Sequence, residues 1–247
     1  MKALMFDIGG KLAHFKNPEN NYSIEVTYEQ ITKPHLLGIL GAIVGLNGRQ
    51  RHKELGYIEY YEKLKGAMVS IVPHKAKWQK HIDNTTNTTG FANKDSYKKD
   101  GKPCTFGTTQ TLSRQYLNNP KWTIYIIQAN VSDDIWNTLT QNLLNGESEY
   151  PIYLGQTGCY ANITNVKTID VHDVKIEDIE CCDSLFEYSK VDIEIENGSL
   201  LSKLMLPVDL NEKGLYIKKW MCFTDNFVEF ESLDNIKSFN EKILYFM

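Results

Sequence analysis

The amino-acid sequence of 247 residues predicts an α+β protein. We expect a ferredoxin-like (RRM-like) domain over residues 1–163, with a basic insertion at about 75–119 that projects as a β-hairpin, and a β-rich C-terminal region over 164–247 that packs on it. Three observations support this fold. The apolar segments before residue 163 follow the order β-α-α-β, a long insertion, and β-α-β. The insertion has no sustained hydrophobic period. Beyond residue 163, apolar and polar residues alternate as they do in half-buried strands.

The chain begins with a predicted buried strand. Ala3, Met5 and Ile8 form its apolar side, and further apolar residues lie between them. A strand that is apolar on both faces is usually covered on both. Gly9-Gly10 then ends the strand.

A glycine-rich helix follows, from Pro34 to Leu46. Its residues Gly38, Gly41 and Gly45 are spaced to lie along one face. Each glycine costs about 1 kcal/mol relative to alanine in a helix interior, so a compensating close contact is expected. We favour packing against another element of the same protein; approach of the helix backbone to phosphate groups of a ligand is the alternative.

The remaining elements of the first region are predicted from apolar periodicity and from capping residues. Ser132 and Gly146 are expected to cap the last helix. These elements are a helix at His52–Leu64, a strand at Gly66–His74, a strand at Lys121–Asn130, a helix at Asp133–Leu144 and a strand at Tyr150–Gly155. In the β-rich region, strands are predicted at Val191–Gly198 and Leu215–Phe223, with turns at Asn197-Gly198 and Lys213-Gly214.

Composition excludes several classes of protein. The hydrophobic fraction of 42% and the charged fraction of 23% are typical of a globular chain. Asp7 interrupts the first apolar run, so no signal peptide is expected, and the run Leu36–Leu46 is too short to span a membrane. The five cysteines have no paired zinc-binding spacing. We therefore expect a cytoplasmic protein with no membrane contact, no metal and no cofactor.

Charge is distributed unevenly along the chain. Residues 1–124 contain 18 Lys and Arg against 10 Asp and Glu, whereas residues 125–247 contain 9 against 21. This asymmetry predicts that the first half faces a polyanion. A drift of surface composition without functional meaning is the alternative.

The N-terminal residues also resemble a known family. The pattern is Phe6-Asp7, Gly10, Ala13-His14-Phe15, Leu36, Gly38, Gly41-Ala42-Ile43 and Gly45-Leu46. It resembles the Cas-five subunits of CRISPR type I Cascade complexes (RAMP superfamily), which hold the 5′ handle of the guide RNA (crRNA), and it looks most like the type I-B branch. The segment Gln110–Ile126 resembles the end of that family's thumb hairpin and its return strand. Tyr150–Ile163 resembles a second signature, in which Gln156 stands where relatives often carry an arginine.

The resemblance and the residue types together give a set of candidate RNA contacts. Phe15 could stack on a base and Lys16 could neutralise a phosphate; a core Phe15 and a merely solvated Lys16 are the alternative. Lys33 and His35 are expected to add cationic groups at the predicted helix start, where anions bind favourably. The full set is His14, Phe15, Lys16, Lys33, His35, Lys75, Lys77, Lys98, Lys99, Arg114 and Gln156.

The resemblance implies a non-catalytic RNA-binding subunit that caps the 5′ handle of the crRNA. Its implied partners are the crRNA, the backbone RAMP subunit and the large subunit, with target DNA reached only indirectly. Two alternatives remain open. One is a protein-interaction domain without RNA. The other is a metal-independent endoribonuclease that processes CRISPR precursor RNA, for which the residue types available as base, acid or cation are His14, Tyr22, Lys33, His74 and Lys75.

Overall fold

The N-terminal part of the protein is built around a four-stranded sheet. A computed structural model describes residues 1–19, 24–49, 52–89, 98–99, 102–103, 108–175 and 179–247. Along the chain as far as residue 170, the elements are β1 (Lys2–Gly9), β2 (Leu12–Ala13), β3 (Ile24–Glu25), α1 (Lys33–Val44), α2 (His52–Leu55), α3 (Glu59–Leu64), β4 (Met68–Pro73), β5 (Lys80–Thr89), β6 (Lys98–Lys99), β7 (Lys102–Pro103), β8 (Thr108–Asn118), β9 (Lys121–Ile127), α4 (Asp133–Asn145) and β10 (Asn162–Asp170).

The strand order in this sheet is β10-β1-β9-β4, and all neighbours are antiparallel. The central strands β1 and β9 pair through Phe6 and Ile124, and both side chains are fully buried. Leu36 and Leu40 of α1 belong to the same buried cluster. On the other face of β1, Ala3 packs in a second buried cluster with Phe246. The first strand is therefore covered on both faces, as its apolar pattern indicates.

Helix α1 packs through its glycines. A Cβ atom added at Gly41 would lie 2.5 Å from the Cβ atom of Tyr60 in α3, and one added at Gly38 would lie 3.7 Å from the Tyr60 ring. The favoured packing role therefore holds at Gly41, whereas at Gly38 a Cβ atom would make only an ordinary contact. Gly45 instead ends the helix as its C-cap, with a φ of 82°. Within the described ranges, none of the helices is long and apolar enough to span a bilayer.

Two predicted elements are wrong in their extent. The single helix expected over His52–Leu64 is divided into α2 and α3, because Gly56 between them adopts a φ of 77°. The strand expected at Tyr150–Gly155 is irregular backbone with one isolated bridge, between Tyr153 and Tyr160. The fourth strand of the sheet is β10, which the sequence does not reveal because most of its side chains are exposed.

The position of β10 also bears on the domain boundary. The expected boundary between residues 163 and 164 falls inside this strand. Because β10 pairs with β1 from Lys2 to Gly9, it belongs with the first region. We therefore move the proposed boundary to the end of β10, and the division into two regions stays a proposal.

The described part of the insertion forms a β-hairpin. β5 and β8 pair antiparallel from Lys80 opposite Leu117 to Thr89 opposite Thr108. The short strands β2 and β3 also pair with β8, so the base of the hairpin is joined to the chain that follows β1. The insertion residues Phe91, Lys94, Tyr97 and Phe106 lie outside the described residues.

The C-terminal region consists mostly of short antiparallel strands. They are β11 (His172–Asp173), β12 (Phe186–Glu187), β13 (Val191–Glu194), β14 (Leu201–Leu210), β15 (Tyr216–Thr224), β16 (Phe227–Phe230), β17 (Ile236–Phe239) and β18 (Lys242–Tyr245). The predicted turns at Gly198 and Gly214 are present, with φ values of 89° and 71°. Leu206, Leu210 and Met221 join the same buried cluster as β1 and α1, so this region packs directly on the first.

Candidate nucleic-acid interface

Two segments that are distant in sequence meet just after β2. The backbone N–H of His14 donates to the carbonyl oxygen of Leu154 at 3.0 Å. Gly155 has a φ of 86°, and a Cβ atom there would lie only 2.2 Å from the carbonyl oxygen of His14. Glycine is therefore required at this position for both its backbone conformation and its lack of a side chain.

The His14 side chain lies in the interior. Its Nδ1 is 2.8 Å from the carbonyl oxygen of Gln115, and because a carbonyl only accepts, Nδ1 carries the proton. Its Nε2 is buried and has no hydrogen-bond partner among the described residues. Burial lowers the pKa of His14, so the ring is neutral near pH 7. This corrects the expectation that His14 is a surface contact for RNA.

Phe15 is also an interior residue. Its ring is fully buried, and its centroid lies 5.0 Å from that of His35 and 5.9 Å from that of Trp122. A base cannot stack on a ring that has no free face. The alternative in which Phe15 belongs to the core is the one the structure shows.

His35 is neutral and held by polar contacts on both ring nitrogens. Its Nδ1 lies 2.7 Å from Oγ1 of Thr32, and its Nε2 lies 3.3 Å from the hydroxyl of Tyr216. Burial, helped by the nearby charge of Arg49, lowers the pKa of His35 to about 3. The expectation of a cationic His35 at the helix start is therefore wrong, although the residue does line a surface groove.

Lys33 does not line the surface groove that contains His35. Its Nζ donates to the carbonyl oxygen of Met247 at 2.9 Å, and it lines a separate cavity with Asp209. Burial lowers the pKa of Lys33. The Lys33 ammonium thus makes a contact within the protein, and its contact with a phosphate stays a prediction.

The groove consists of two adjoining surface cavities of about 360 and about 500 Å³ that share Lys16, Arg49 and Tyr216. We call it the Lys16–Arg49 groove. The α1 helix forms one wall of the first cavity, and the β14–β15 turn forms one wall of the second. The other lining residues are Pro18, Glu19, Pro34, His35, Gly38, Ile39, Ala42, Tyr60, Pro151, Tyr153, Gly155, Gly214, Leu215 and Lys218.

A three-residue charge network supports one side of the groove. Glu25 of β3 accepts hydrogen bonds from Lys16 and from Arg114 of the hairpin strand β8. The hydrogen bond from Lys16 has the largest effect and that from Arg114 the next, and together they lower the pKa of Glu25 to about 2. The carboxylate therefore stays charged. The network carries two positive charges and one negative charge. It therefore presents a net positive charge while fixing the base of the hairpin to β3.

Aromatic rings line the groove together with the cations. The Arg49 guanidinium lies 5.2 Å from the centroid of Tyr216. Tyr153 also lines the first cavity, and its ring lies 5.2 Å from that of Tyr160, which is 65% exposed and lies outside the groove lining. Lys218 pairs with Glu19 at 2.8 Å, so this cation is already neutralised. Aromatic rings beside Arg and Lys are the usual composition of a surface that binds single-stranded nucleic acid; the rings of Tyr153 and Tyr216 are half-buried.

The other candidate contacts lie outside the groove. Lys75 and Lys77 are exposed near the start of the hairpin. The side chains of Lys98 and Lys99 lie outside the described part of the chain. Gln156 accepts a hydrogen bond from the Tyr116 hydroxyl at 3.3 Å and is half-buried. The structure thus brings Lys16, His35 and, through Glu25, Arg114 to one place, and it leaves the others apart.

Two of the described residues considered for RNA cleavage, His74 and Lys33, contact different parts of the protein. His74 lies 2.9 Å from the Thr123 hydroxyl, which donates to Asp7, while Lys33 contacts Met247. Tyr22 lies outside the described residues. In the described ranges no group of three or more His, Cys, Asp or Glu side chains could hold a metal ion.

Sequence reasoning missed three groove residues: Arg49, Tyr216 and Lys218. Arg49 offered a signal, because it is one of only three arginines and follows closely on the α1 C-cap. Tyr216 and Lys218 offered none, since they belong to the acidic half of the chain and reach the groove only through tertiary packing.

A comparison with protein families agrees with the resemblance in the sequence. The family model described as CRISPR-associated protein (Cas_Cas5) matches residues 3–226. No curated protein gives a significant match. Among solved structures, one titled "CRISPR RNA-guided surveillance complex" is 14% identical, with 94% of this chain and 92% of that chain covered and a TM-score of 0.49. A CRISPR protein from Archaeoglobus fulgidus is 13% identical, with coverage of 99% and 98% and a TM-score of 0.45.

Proposed function

The chain belongs to the CRISPR-associated protein (Cas_Cas5) family, and we propose that it is a non-catalytic RNA-binding subunit of a type I CRISPR surveillance complex. In this role it caps the 5′ handle of the crRNA and assembles with the backbone RAMP subunit and the large subunit. It contacts target DNA only indirectly. The subtype we propose is I-B, and the location is the cytoplasm.

The observation that carries the RNA-binding proposal is the Lys16–Arg49 groove. Arg49 lies over the ring of Tyr216, and Lys16 is a second exposed cation that lines the same two cavities. The backbone junction between His14 and Gly155 lies against the first of these cavities. Both segments of that junction belong to the family-like sequence patterns. The groove therefore combines the residues of the family resemblance with the charge and aromatic surface that RNA requires.

The same proposal includes the finer description of the fold. The order β-α-β, insertion, β-α-β and the sheet order β10-β1-β9-β4 support a ferredoxin-like domain. The paired strands β5 and β8 support the view of the insertion as a thumb hairpin. The Glu25 network joins the base of that hairpin to the groove, so RNA in the groove would lie beside the thumb.

Sequencing of co-purified RNA tests this function. The tagged chain is purified from cells that carry its native locus, as wild type, as Lys16→Gln/Arg49→Gln and as a control, Lys167→Gln/Lys175→Gln, whose lysines are exposed and outside the groove. We expect RNA with repeat-derived 5′ ends on wild type and control, and at least about tenfold less RNA per protein on the groove variant. Recovery of the neighbouring complex subunits without repeat-derived RNA would contradict the proposal.

A further inference from the structure

The acidic C-terminal region exposes an apolar sheet face that no part of the groove uses. Met205 of β14 lies directly opposite Trp220 of β15, and the two side chains are 38% and 47% exposed. Leu201 lies on the same face of β14, since residues two and four apart along a strand share a face. Tyr188, in the short 3-10 turn Tyr188–Lys190, adds a second exposed aromatic ring.

Lys203 lies at the centre of this face. Its Nζ is 3.4 Å from the centroid of the Tyr188 ring and 5.2 Å from that of Trp220. No carboxylate in the described part of the chain forms an ion pair with it. By contrast, Lys219 of the same hairpin pairs with Glu187 at 2.8 Å. Lys203 is thus a cation that two rings hold in place and that no carboxylate in the described ranges neutralises.

The composition of this face favours a protein partner. Trp, Tyr and Met are enriched at the centres of protein interfaces, where a few such residues supply most of the binding energy. Exposed apolar patches of this kind mark interaction sites. The cation–π contacts also fix both rings before binding, which reduces the entropy lost when a partner orders them.

Nearby charge disfavours a nucleic acid at this face. The half of the chain that contains it has 9 Lys and Arg against 21 Asp and Glu. In the adjoining strands β13 and β16, Asp192 lies directly opposite Glu229, and both side chains are exposed. Such a surface repels phosphates, whereas one unpaired lysine among apolar side chains complements a single carboxylate in an apolar setting.

We propose that the face formed by Leu201, Lys203, Met205, Trp220 and Tyr188 is a docking site for a partner protein. The partner presents a carboxylate that pairs with Lys203, surrounded by apolar side chains that pack on Met205 and Trp220. This site lies beyond the proposed RNA function and needs no RNA in order to form.

A residue-specific cross-link tests the docking site. The photoreactive residue p-benzoylphenylalanine replaces Met205 in the full chain, which is purified with its complex from cells carrying the native locus. The control places it at Leu144, an exposed apolar residue on α4. We expect an adduct at position 205, absent at 144, to a peptide of another protein that contains Asp or Glu among apolar residues.

A charge exchange then identifies the pairing. Lys203→Glu should lower the co-purified amount of that protein at least about tenfold, and changing the cross-linked carboxylate to Lys should restore it. Lys167→Glu, a second exposed mid-strand lysine, should have no effect. Three cross-linking results would overturn the proposal: an adduct to nucleic acid, an adduct to a second copy of the chain, or an adduct at position 205 no stronger than at position 144. A charge exchange that fails to restore binding of the partner would also overturn it.

RNA sequencing of the same samples separates this proposal from the RNA function. Repeat-derived RNA without the adduct would overturn only the docking site. The adduct without such RNA would overturn only the RNA function.

Discussion

Gly155 packs directly on the backbone of His14, with only 2.2 Å between the position of an added Cβ atom and the His14 carbonyl oxygen. The hydrogen bond from His14 N–H to Leu154 holds the same junction. This contact joins the chain after β2 to the loop before β10, and it forms part of the wall of the Lys16–Arg49 groove. The geometry of the groove therefore depends on a glycine that contributes no side chain to it.

Replacing Gly155 by alanine should destabilise the protein strongly. The new Cβ atom would clash with rigid backbone, and a φ of 86° is itself unfavourable for alanine. Gly158→Ala is the matched control, because its φ is 98° but its Cβ position is open. We expect a loss of about 1–2 kcal/mol for Gly158→Ala, from conformation alone, and a clearly larger loss for Gly155→Ala. Urea unfolding measures both; equal losses would refute the close contact.

The two glycines of α1 should respond in opposite ways to alanine. At Gly41 the added atom would lie 2.5 Å from the Cβ atom of Tyr60, so α3 must shift and stability should fall. At Gly38 the nearest atom is 3.7 Å away, an ordinary contact, so the better helix propensity of alanine should raise stability by up to about 1 kcal/mol. Thermal unfolding of both variants checks this, and a stabilising Gly41→Ala would show that α1 and α3 do not approach closely.

The sequence predicted the core elements better than the site because periodicity reports burial. β1, β4, β9 and α1 are apolar and buried, and all were predicted. β10 was missed because its residues are mostly polar and exposed, although it completes the sheet. The match of Ala13-His14-Phe15 to the family pattern also placed His14 and Phe15 at the surface, whereas their side chains turn inward towards Gln115 and Trp122. The groove itself required tertiary packing, since Tyr216 is distant from Lys16 in the chain.

Removing the charge of Glu25 should weaken folding and strengthen RNA binding. Glu25→Gln releases Lys16 and Arg114 from their shared carboxylate, which raises the net charge beside the groove by one. The salt dependence of RNA binding should then become steeper. Because the pKa of Glu25 is lowered to about 2, wild type should also lose stability as the pH falls from about 4.5 towards 2, and the variant should lose less.

Glu29→Gln is the control for that experiment, since Glu29 pairs with Lys80 at 2.6 Å and does not line the groove. RNA affinity is measured by fluorescence anisotropy over a range of salt concentrations. If Glu25→Gln and Glu29→Gln change RNA binding equally, the Glu25 network has no special relation to the RNA site.

His35 should make the protein less stable in mild acid. The folded state keeps the ring neutral down to a pKa of about 3, while the unfolded chain takes up a proton below its ordinary value of 6.5. Stability should therefore be unaffected by His35 above pH 7 and should fall below pH 6.5 by up to about 1.4 kcal/mol per pH unit. His35→Gln should show a shallower decline in urea unfolding between pH 6.5 and 4.5. An identical slope in both proteins would show that His35 is not held neutral.

The salt dependence of binding to repeat-derived RNA tests the central claim most directly. The affinity of the purified chain for RNA from its own locus is measured against salt concentration for wild type, for Lys16→Gln/Arg49→Gln and for Lys167→Gln/Lys175→Gln. The binding constant K falls as salt rises. Each cation that neutralises a phosphate of a single strand adds about 0.7 to the steepness of log K against log salt. The groove variant, which lacks two such cations, should therefore have a slope that is shallower by about 1.4. The control pair should retain the wild-type slope. Equal slopes for wild type and groove variant would contradict the assignment of RNA binding to this groove.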